Sequence, residues 1–262
     1  MKERKFLSNL WLTLVIAFLF LPIVVLVAFS FNNSSQNIIF TGFSFEWYAK
    51  LFENTELIDA FLNTLLIATL STIISTIIGT TAAVGLKKYN FFGKTLINKL
   101  LYIPIVIPEI VIGIALLAFF SLAHVELGVW SVLIAHISFS IPFVITSVRS
   151  VLYTLPPTYE EAAADLGAGS WQTFWHVTLP LIGPGIISGA LLAFTLSLDD
   201  VVVSFFTAGP GTNTLPLYIY SIIKTGITPD VNALITIMLI ITIIILLISY
   251  QISNRAKRKL QK

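Results

Sequence analysis

Long apolar runs separated by short polar stretches form the main pattern of this chain. Each run is continuous rather than alternating, which favours helices over the strands of a membrane barrel. A helix of about 20 apolar residues crosses the hydrocarbon core of a bilayer. We therefore predict an all-α membrane protein, with a single transmembrane domain over residues 1–262. The six predicted transmembrane helices are Leu10–Phe31, Ala60–Leu86, Leu96–Leu122, Leu127–Leu152, Leu181–Phe206 and Val231–Ile252.

The composition agrees with a membrane location. Hydrophobic residues make up 56% of the chain and charged residues 11%, whereas a soluble domain carries about 25% charged residues. The chain contains no cysteine, which excludes a disulfide framework and thiol chemistry. The first run is longer than the apolar core of a signal peptide, about 7–15 residues. We expect it to be an uncleaved membrane helix.

The basic residues indicate how the spans are oriented. With six spans, both termini lie on the same side of the membrane, and 13 of the 15 basic residues fall on that side. Lys50 and Lys224 fall on the other side. Because cytoplasmic loops are enriched in lysine and arginine, both termini are predicted to be cytoplasmic. The 13 residues are Lys2, Arg4, Lys5, Lys87, Lys88, Lys94, Lys99, Arg149, Arg255, Lys257, Arg258, Lys259 and Lys262.

The cytoplasmic connection between the fourth and fifth spans, about residues 153–180, has a pattern of its own. The sequence PPT at 156–158 predicts a helix start, and the glutamates that follow suit the positive end of a helix dipole. Glycines then end this first helix. A second amphipathic stretch, Trp171–Thr178, is expected to stop at Leu179-Pro180. The pattern predicts a helix–turn–helix on the inner face of the membrane.

This connection reads EAAADLGAGSWQTFWHVTLP and resembles the EAA loop of the membrane subunits of ABC importers. Val177 is a mild departure, since isoleucine is more frequent there in that family. The resemblance implies the type I importer permease fold. It also implies that the first helix of the loop docks on a separate ATPase subunit and transmits its ATP-driven closure to the membrane helices. The positions that carry the resemblance, and that we expect to form the coupling loop, are Glu161, Ala162, Ala163, Gly167, Leu179 and Pro180.

Four further segments resemble the PotC-type permeases of spermidine/putrescine importers: GFSFEWYAKLF, IPEIVIGIALL, FTLSLDDVVVSFF and LPLYIYSIIKTGITPDVNALIT. The resemblance covers essentially the whole chain. It implies polyamine import across the bacterial cytoplasmic membrane. It also implies a heterodimer with a second, PotB-like permease, two copies of a PotA-like ATPase, and a PotD-like extracytoplasmic binding protein.

The sequence predicts no catalysis by the chain itself. Gly93-Lys94-Thr95 could end a P-loop, but Lys88 stands where that motif needs glycine and no strand precedes it. ATP and Mg²⁺ are therefore expected on the partner ATPase, with no cofactor in this chain. The three histidines lack metal-ligand spacing, and His136 is expected to fill a neutral, hydrogen-bonded packing role.

Three acids fall inside the predicted spans: Glu109, Asp199 and Asp200. A charge in the middle of a bilayer costs about 2.5–3.5 kcal/mol, so such residues commonly mark a transport pathway. Neighbouring residues of a helix point about 100° apart. We predict that Asp199 faces the cargo and that Asp200 pairs with the protein, with the reverse assignment also open. Pairing of both acids with serine, threonine or backbone donors is the non-functional alternative.

Two other residues are candidates for the cargo pathway. Glu109 follows Pro104 and Pro108, which free backbone carbonyls that a cation could bind. Its alternative role is that of a helix-start residue near the membrane interface. Trp47, in the first outer loop, would contact the cargo or the binding protein, or else belong to the aromatic belt at the membrane surface. Separately, a GxxxG sequence at 185–189 suggests a close helix–helix approach.

Other function classes explain less of the sequence. The EAA-type loop also fits an ABC importer for another solute, such as a different organic cation or a metal-bearing compound. An ATPase-independent secondary transporter would leave the loop unexplained and would be expected to show repeats, which the segment pattern lacks. A membrane-embedded enzyme would need a convergent set of His, Ser or Cys residues, and the sequence suggests none.

Overall fold

The computed structural model describes residues 2–34, 39–222 and 229–260, with side chains over 8–34, 39–222 and 229–244. Within these ranges the regular secondary structure is helical, apart from one isolated antiparallel bridge between Asn32 and Phe43. The helices are α1 Lys2–Phe29, α2 Glu46–Leu51, α3 Thr55–Lys88, α4 Lys94–Leu100, α5 Ile103–Val106, α6 Glu109–Leu122, α7 Val129–Leu152, α8 Thr158–Asp165, α9 Ser170–Thr173, α10 Leu179–Leu198, α11 Val202–Thr207, α12 Leu215–Ile222 and α13 Pro229–Leu260, with a π-helical turn at Phe174–Thr178.

The helices long and apolar enough to cross a membrane confirm a multi-pass, all-α protein. Within the described residues, four continuous helices qualify: Ser8–Phe29, Thr55–Lys88, Val129–Leu152 and Ser170–Leu198. A bent pair, Lys94–Val106 with Glu109–Leu122, qualifies when it is taken as one span. The sixth predicted span falls within α13, whose described apolar part is Pro229–Ile244.

The chain divides into two compact units, Met1–Ile58 with Ser221–Lys262, and Asp59–Tyr220. In the first unit, α13 packs against α1 and α2. Asn54 Nδ2 donates a hydrogen bond to Asp230 Oδ2 at 3.1 Å. Between α1 and α2, the rings of Phe31 and Phe43 are stacked, with their centroids 5.0 Å apart.

The second unit is built on the close packing of α7 along α10. A Cβ atom added at Gly185 would lie 3.0 Å from the Ser147 carbonyl oxygen, and one at Gly189 would lie 3.2 Å from the Val144 Cα. Both glycines are buried. The close helix–helix approach predicted from the GxxxG sequence is thus confirmed, with α7 as the neighbour.

The third predicted span is not one straight helix. The segments on either side of the break at Ile107-Pro108 are bent by 112°. Ile107 and Pro108 have extended backbone, with ψ values of 137° and 135°. Proline lacks an N–H and disfavours helical geometry in the residue before it. Pro108 therefore ends one helix, and Glu109 begins the next.

The prediction that Asp199 and Asp200 are neighbours within one helix is wrong. Helix α10 ends at Leu198, and α11 begins only at Val202. Asp199 has φ −106° and ψ 4°, which is not helical. Hydropathy alone could not locate this break, because apolar residues continue on both sides of the acid pair.

The predicted stop at Leu179-Pro180 is also wrong. Backbone angles stay helical through the junction, with φ −59° and ψ −47° at Leu179, and Ser170–Leu198 forms one candidate span. A proline within a helix usually clashes with the carbonyl four residues earlier. Here the carbonyl four residues before Pro180 belongs to His176, inside the wider π-helical turn Phe174–Thr178, and the helix continues.

Candidate functional site

Two helix breaks lie side by side in the second unit. Helix α11, which follows one break, packs against α6, which follows the other, and also against α7. A cavity of about 210 Å³ lies between these elements. Its walls combine the carboxyl-bearing residues Glu109 and Asp200 with the aromatic rings of Phe139 and Phe143. Broken helices around a cavity are how many transporters form a cargo site.

Asp200 is held by the protein on both carboxylate oxygens. Oδ1 accepts the Val203 N–H at 3.1 Å, and Oδ2 accepts the Ser204 N–H at 2.7 Å. The His136 Nε2 atom lies 3.3 Å from Oδ2. The first N–H groups of a helix have no partner within it and carry partial positive charge, so they favour an anion. Asp200 thus caps α11, and its residue is 8% exposed.

His136 joins the helices around this carboxylate. Its Nδ1 atom lies 2.7 Å from the Ser197 Oγ of α10, and its Nε2 atom 3.0 Å from the Ser204 Oγ of α11. Ser197 is in turn bonded to Ser71 of α3, with their Oγ atoms 3.0 Å apart. The predicted hydrogen-bonded packing role of this histidine is confirmed. Its contact with Asp200 could not be predicted, because the two residues are 64 positions apart in the sequence.

Asp199 differs from its neighbour in exposure and in bonding. Its residue is exposed, and its backbone N–H donates to the Thr195 carbonyl at 3.3 Å at the end of α10. In the described part of the chain, its carboxylate takes part in no hydrogen bond or ion pair. The two acids therefore have different chemical roles, one as a cap bound by the protein and one as an exposed charge.

Glu109 is both a helix-start residue and a residue of the cavity wall, the two places that the sequence suggested for it. It is the first residue of α6, directly after Pro108, and it lines the cavity. Asp200 lines the same cavity, and Asp199 precedes Asp200 directly in the chain. The structure therefore brings the three membrane acids together at the paired breaks. Binding of cargo by them remains a prediction.

Trp47 belongs to the first unit, in the short helix α2. Its indole Nε1 donates to the Asn32 carbonyl at 2.6 Å, which ties α2 to the outer loop. The Lys50 ammonium lies 4.6 Å from the centre of the indole ring and is paired with Glu46 at 2.7 Å. Trp47 thus has a structural role in its own unit. A role toward cargo remains a prediction.

The predicted coupling loop has a well-defined turn. Gly167 has φ +83°, in the region that favours glycine. Its N–H donates to the Ala164 carbonyl at 2.8 Å, and the Ala168 N–H donates to the Ala163 carbonyl at 3.0 Å. These two bonds form the Schellman motif that commonly ends a helix. Gly167 therefore ends α8, as the sequence predicts.

The residues of α8 divide between a buried and an exposed face. Ala163 is buried, whereas Glu161 and Ala162 are exposed. Leu166 is 89% exposed, unusual for a leucine. Leu179 and Pro180 stand at the start of α10. For Glu160 the sequence predicted only a place at the positive end of the helix dipole, and its Oε1 also accepts a 3.0 Å hydrogen bond from the Thr178 hydroxyl.

Comparison with known proteins gives consistent results. Residues 75–261 match the family described as binding-protein-dependent transport system inner membrane component. The spermidine/putrescine transport system permease protein PotC of Haemophilus influenzae is 41% identical, covering 97% of this chain and 98% of the relative. The putrescine transport system permease protein PotI of Escherichia coli is 37% identical, covering 95% of this chain and 91% of the relative.

Solved structures show the same fold. A bacterial ABC transporter involved in import of the acidic polysaccharide alginate aligns with a TM-score of 0.76 at 16% identity, covering 95% of this chain and 96% of that chain. The MetNI methionine ABC transporter aligns with a TM-score of 0.63 at 18% identity, covering 76% of this chain and 95% of that chain. The chain therefore belongs to the family of binding-protein-dependent transport system inner membrane components, the permease subunits of type I ABC importers.

Proposed function

We propose that this chain is a permease subunit of an ATP-driven importer that carries spermidine and putrescine into the cytoplasm. The observation that carries the proposal is the acid cluster at the paired helix breaks, in a chain that is 41% identical to a spermidine/putrescine permease. Carboxylates in a membrane span are costly and are typically retained for transport. A polycationic cargo gives these three carboxylates a function.

The site matches the chemistry of a polyamine. Such a cargo alternates ammonium groups with methylene spacers, so it needs negative charges and apolar or aromatic surface. Glu109 and Asp199 supply exposed carboxylates, and the rings of Phe139 and Phe143 line the adjoining cavity. An ammonium over an aromatic face gains about 0.5–2 kcal/mol. Trp47 is proposed as a further contact on the outer side.

The coupling loop is proposed to dock on a separate ATPase subunit. Tyr159 and Ala162 in α8 and Leu166, which caps its end, follow one another at helical intervals and are all exposed, which provides an apolar ridge. The helix that starts at Ser170 runs 29 residues to Leu198, or about 43 Å at the rise of an α-helix. It ends directly before Asp199. A movement of the loop would therefore reach the acid cluster through one continuous helix.

The proposed assembly provides, in other subunits, the functions that this chain lacks. A second, PotB-like permease completes the pathway, two PotA-like ATPase subunits bind ATP and Mg²⁺, and a PotD-like protein delivers cargo from outside. Both termini and the coupling loop are proposed to lie in the cytoplasm, which the distribution of basic residues supports. This chain supplies the cargo pathway and no catalytic group.

Uptake by the complete importer in proteoliposomes tests the cargo assignment. Labelled spermidine, putrescine, a monovalent organic cation and a neutral sugar are each supplied with the binding protein and internal ATP. We expect uptake of the two polyamines, with competition between them and no uptake of the sugar. Uptake of the monovalent cation or the sugar in preference to both polyamines would assign the chain to an importer of another solute.

A further inference from the structure

The break between α10 and α11 leaves backbone groups that need partners. A membrane-embedded helix end cannot leave its N–H groups unpaired without a cost of several kcal/mol. Asp200 binds two of these groups, from Val203 and Ser204. The carboxylate that stabilises the break is itself buried, and a buried charge needs a partner of its own.

We propose that His136 is a positioning residue that holds Asp200, fixes the break between α10 and α11, and thereby sets the direction of Asp199. The inference rests on the proposed function, in which Asp199 meets the cargo. His136 bonds to a serine on each side of the break, Ser197 before it and Ser204 after it. One buried imidazole on α7 therefore holds together the two helix ends and the capping carboxylate.

The hydrogen-bond network indicates which nitrogen of the His136 ring donates to Asp200. The Asp200 carboxylate and the Ser204 hydroxyl oxygen can both accept from an N–H at Nε2. Nδ1 can then accept from the Ser197 hydroxyl, whose own oxygen accepts from Ser71. The N–H at Nε2 and the hydroxyls of Ser197 and Ser71 then each have an acceptor. The contact from Nε2 thus steadies the carboxylate, and that from Nδ1 anchors the ring.

The position of Asp199 depends on this arrangement because the two acids are adjacent. Asp200 faces inward to His136 while Asp199 is exposed. Outside a helix, the backbone between them can rotate unless a side chain fixes it. The wall of the cavity is also coupled to the ring, since the Phe139 ring centre lies 5.1 Å from that of His136.

Two substitutions distinguish the roles of the two ring nitrogens of His136. The amide nitrogen of His136→Gln lies near the position of Nε2 and keeps a donor for Asp200, whereas that of His136→Asn lies near Nδ1 and does not. In the complete importer we expect His136→Asn to raise the KM for spermidine about tenfold, the size of one lost hydrogen bond to a charged group. We expect His136→Gln to stay near the wild-type KM, with kcat little changed in both.

A double variant distinguishes positioning from a general structural role. In an Asp199→Asn background, His136→Asn should leave KM where Asp199→Asn alone puts it, because the residue being positioned no longer carries its charge. His124→Asn is the matched control, since that histidine is exposed and asparagine tolerates its φ of 54°. Assembly is checked by copurification with the ATPase.

Three results would overturn the inference: a wild-type KM in His136→Asn, equal loss in the Gln and Asn variants, or multiplying effects of His136→Asn and Asp199→Asn. If His136→Asn fails to assemble, Ser197→Ala takes its place, since it frees the ring without removing it. Ser197→Ala should raise KM, and an unchanged KM would count against the inference. Failure of the proposed function would appear separately, as absence of spermidine uptake by the wild-type importer.

Discussion

The Thr178 hydroxyl donates a 3.0 Å hydrogen bond to Oε1 of Glu160. This bond joins the coupling helix α8 to the π-helical turn that leads into α10. Thr178 is buried, whereas Glu161 and Ala162 on the outward face of α8 are exposed. The contact is therefore a specific link between the surface proposed to meet the ATPase and the helix that ends at the acid cluster.

Removing this link should uncouple ATP hydrolysis from transport. Thr178→Val keeps the shape of the side chain but not the hydroxyl. We expect uptake per ATP hydrolysed to fall about threefold to tenfold, in line with the 0.5–1.5 kcal/mol of a typical hydrogen bond and the added cost of a carboxylate left unpaired. ATPase activity and spermidine uptake are measured on the same proteoliposomes.

Thr81→Val is the control for this substitution, since the exposed Thr81 hydroxyl bonds only within its own helix. An unchanged ratio in Thr178→Val would remove the link from the coupling route.

The turn at Gly167 gives a prediction about docking. Any other residue at φ +83° is strained, and a non-glycine residue in this conformation costs about 1–2 kcal/mol. Gly167→Ala should therefore disorder the end of α8 and reduce copurification with the ATPase. Gly169 is the matched control, since its φ of −70° suits alanine and a Cβ there meets no atom within 4 Å. Equal retention of the ATPase by the two variants would show that the turn does not govern docking.

The sequence predicted most of the helical architecture but only one of the two helix breaks at the site. Apolar composition sets the length of a span and carries no information about where backbone hydrogen bonding stops. Pro104 and Pro108 did signal one break, because proline acts locally. The other break depends on Asp200 and on His136, which are far apart in sequence and meet only in the folded chain. The cost of burying a charge marked both aspartates as functional candidates. Which of them is exposed and which caps α11 depends on contacts that form only in the folded chain.

The two neighbouring aspartates should respond differently to the same substitution. Asp199→Asn removes an exposed charge and should raise the KM for spermidine about tenfold, with normal assembly. Asp200→Asn weakens the cap of α11 and the contact with His136, and should lower the free energy of unfolding by about 1–3 kcal/mol. Transport kinetics and thermal unfolding in detergent are compared for both variants. If Asp199→Asn lost stability and Asp200→Asn did not, the roles assigned to the two aspartates would be reversed.

The contact of α10 with α7 gives a prediction about stability. A methyl group at Gly185 would press against the Ser147 carbonyl and the Val148 Cα, at 3.0 and 3.2 Å. Gly185→Ala should therefore destabilise the protein by about 1–3 kcal/mol, as overpacking does in other well-packed cores. At Gly183, in the same helix, a Cβ meets no atom within 4 Å, and Gly183→Ala should be neutral or slightly stabilising. Thermal unfolding of the two variants checks the difference, and equal melting temperatures would contradict the packing described here.

The dependence of transport on the ATPase distinguishes an importer subunit from a transporter that works alone. Labelled spermidine uptake is measured in proteoliposomes that hold this chain alone, this chain with the second permease, and the complete importer, each with and without internal ATP and with and without an ion gradient. We expect uptake only by the complete importer with ATP and the binding protein. Gradient-driven uptake by this chain alone would contradict it.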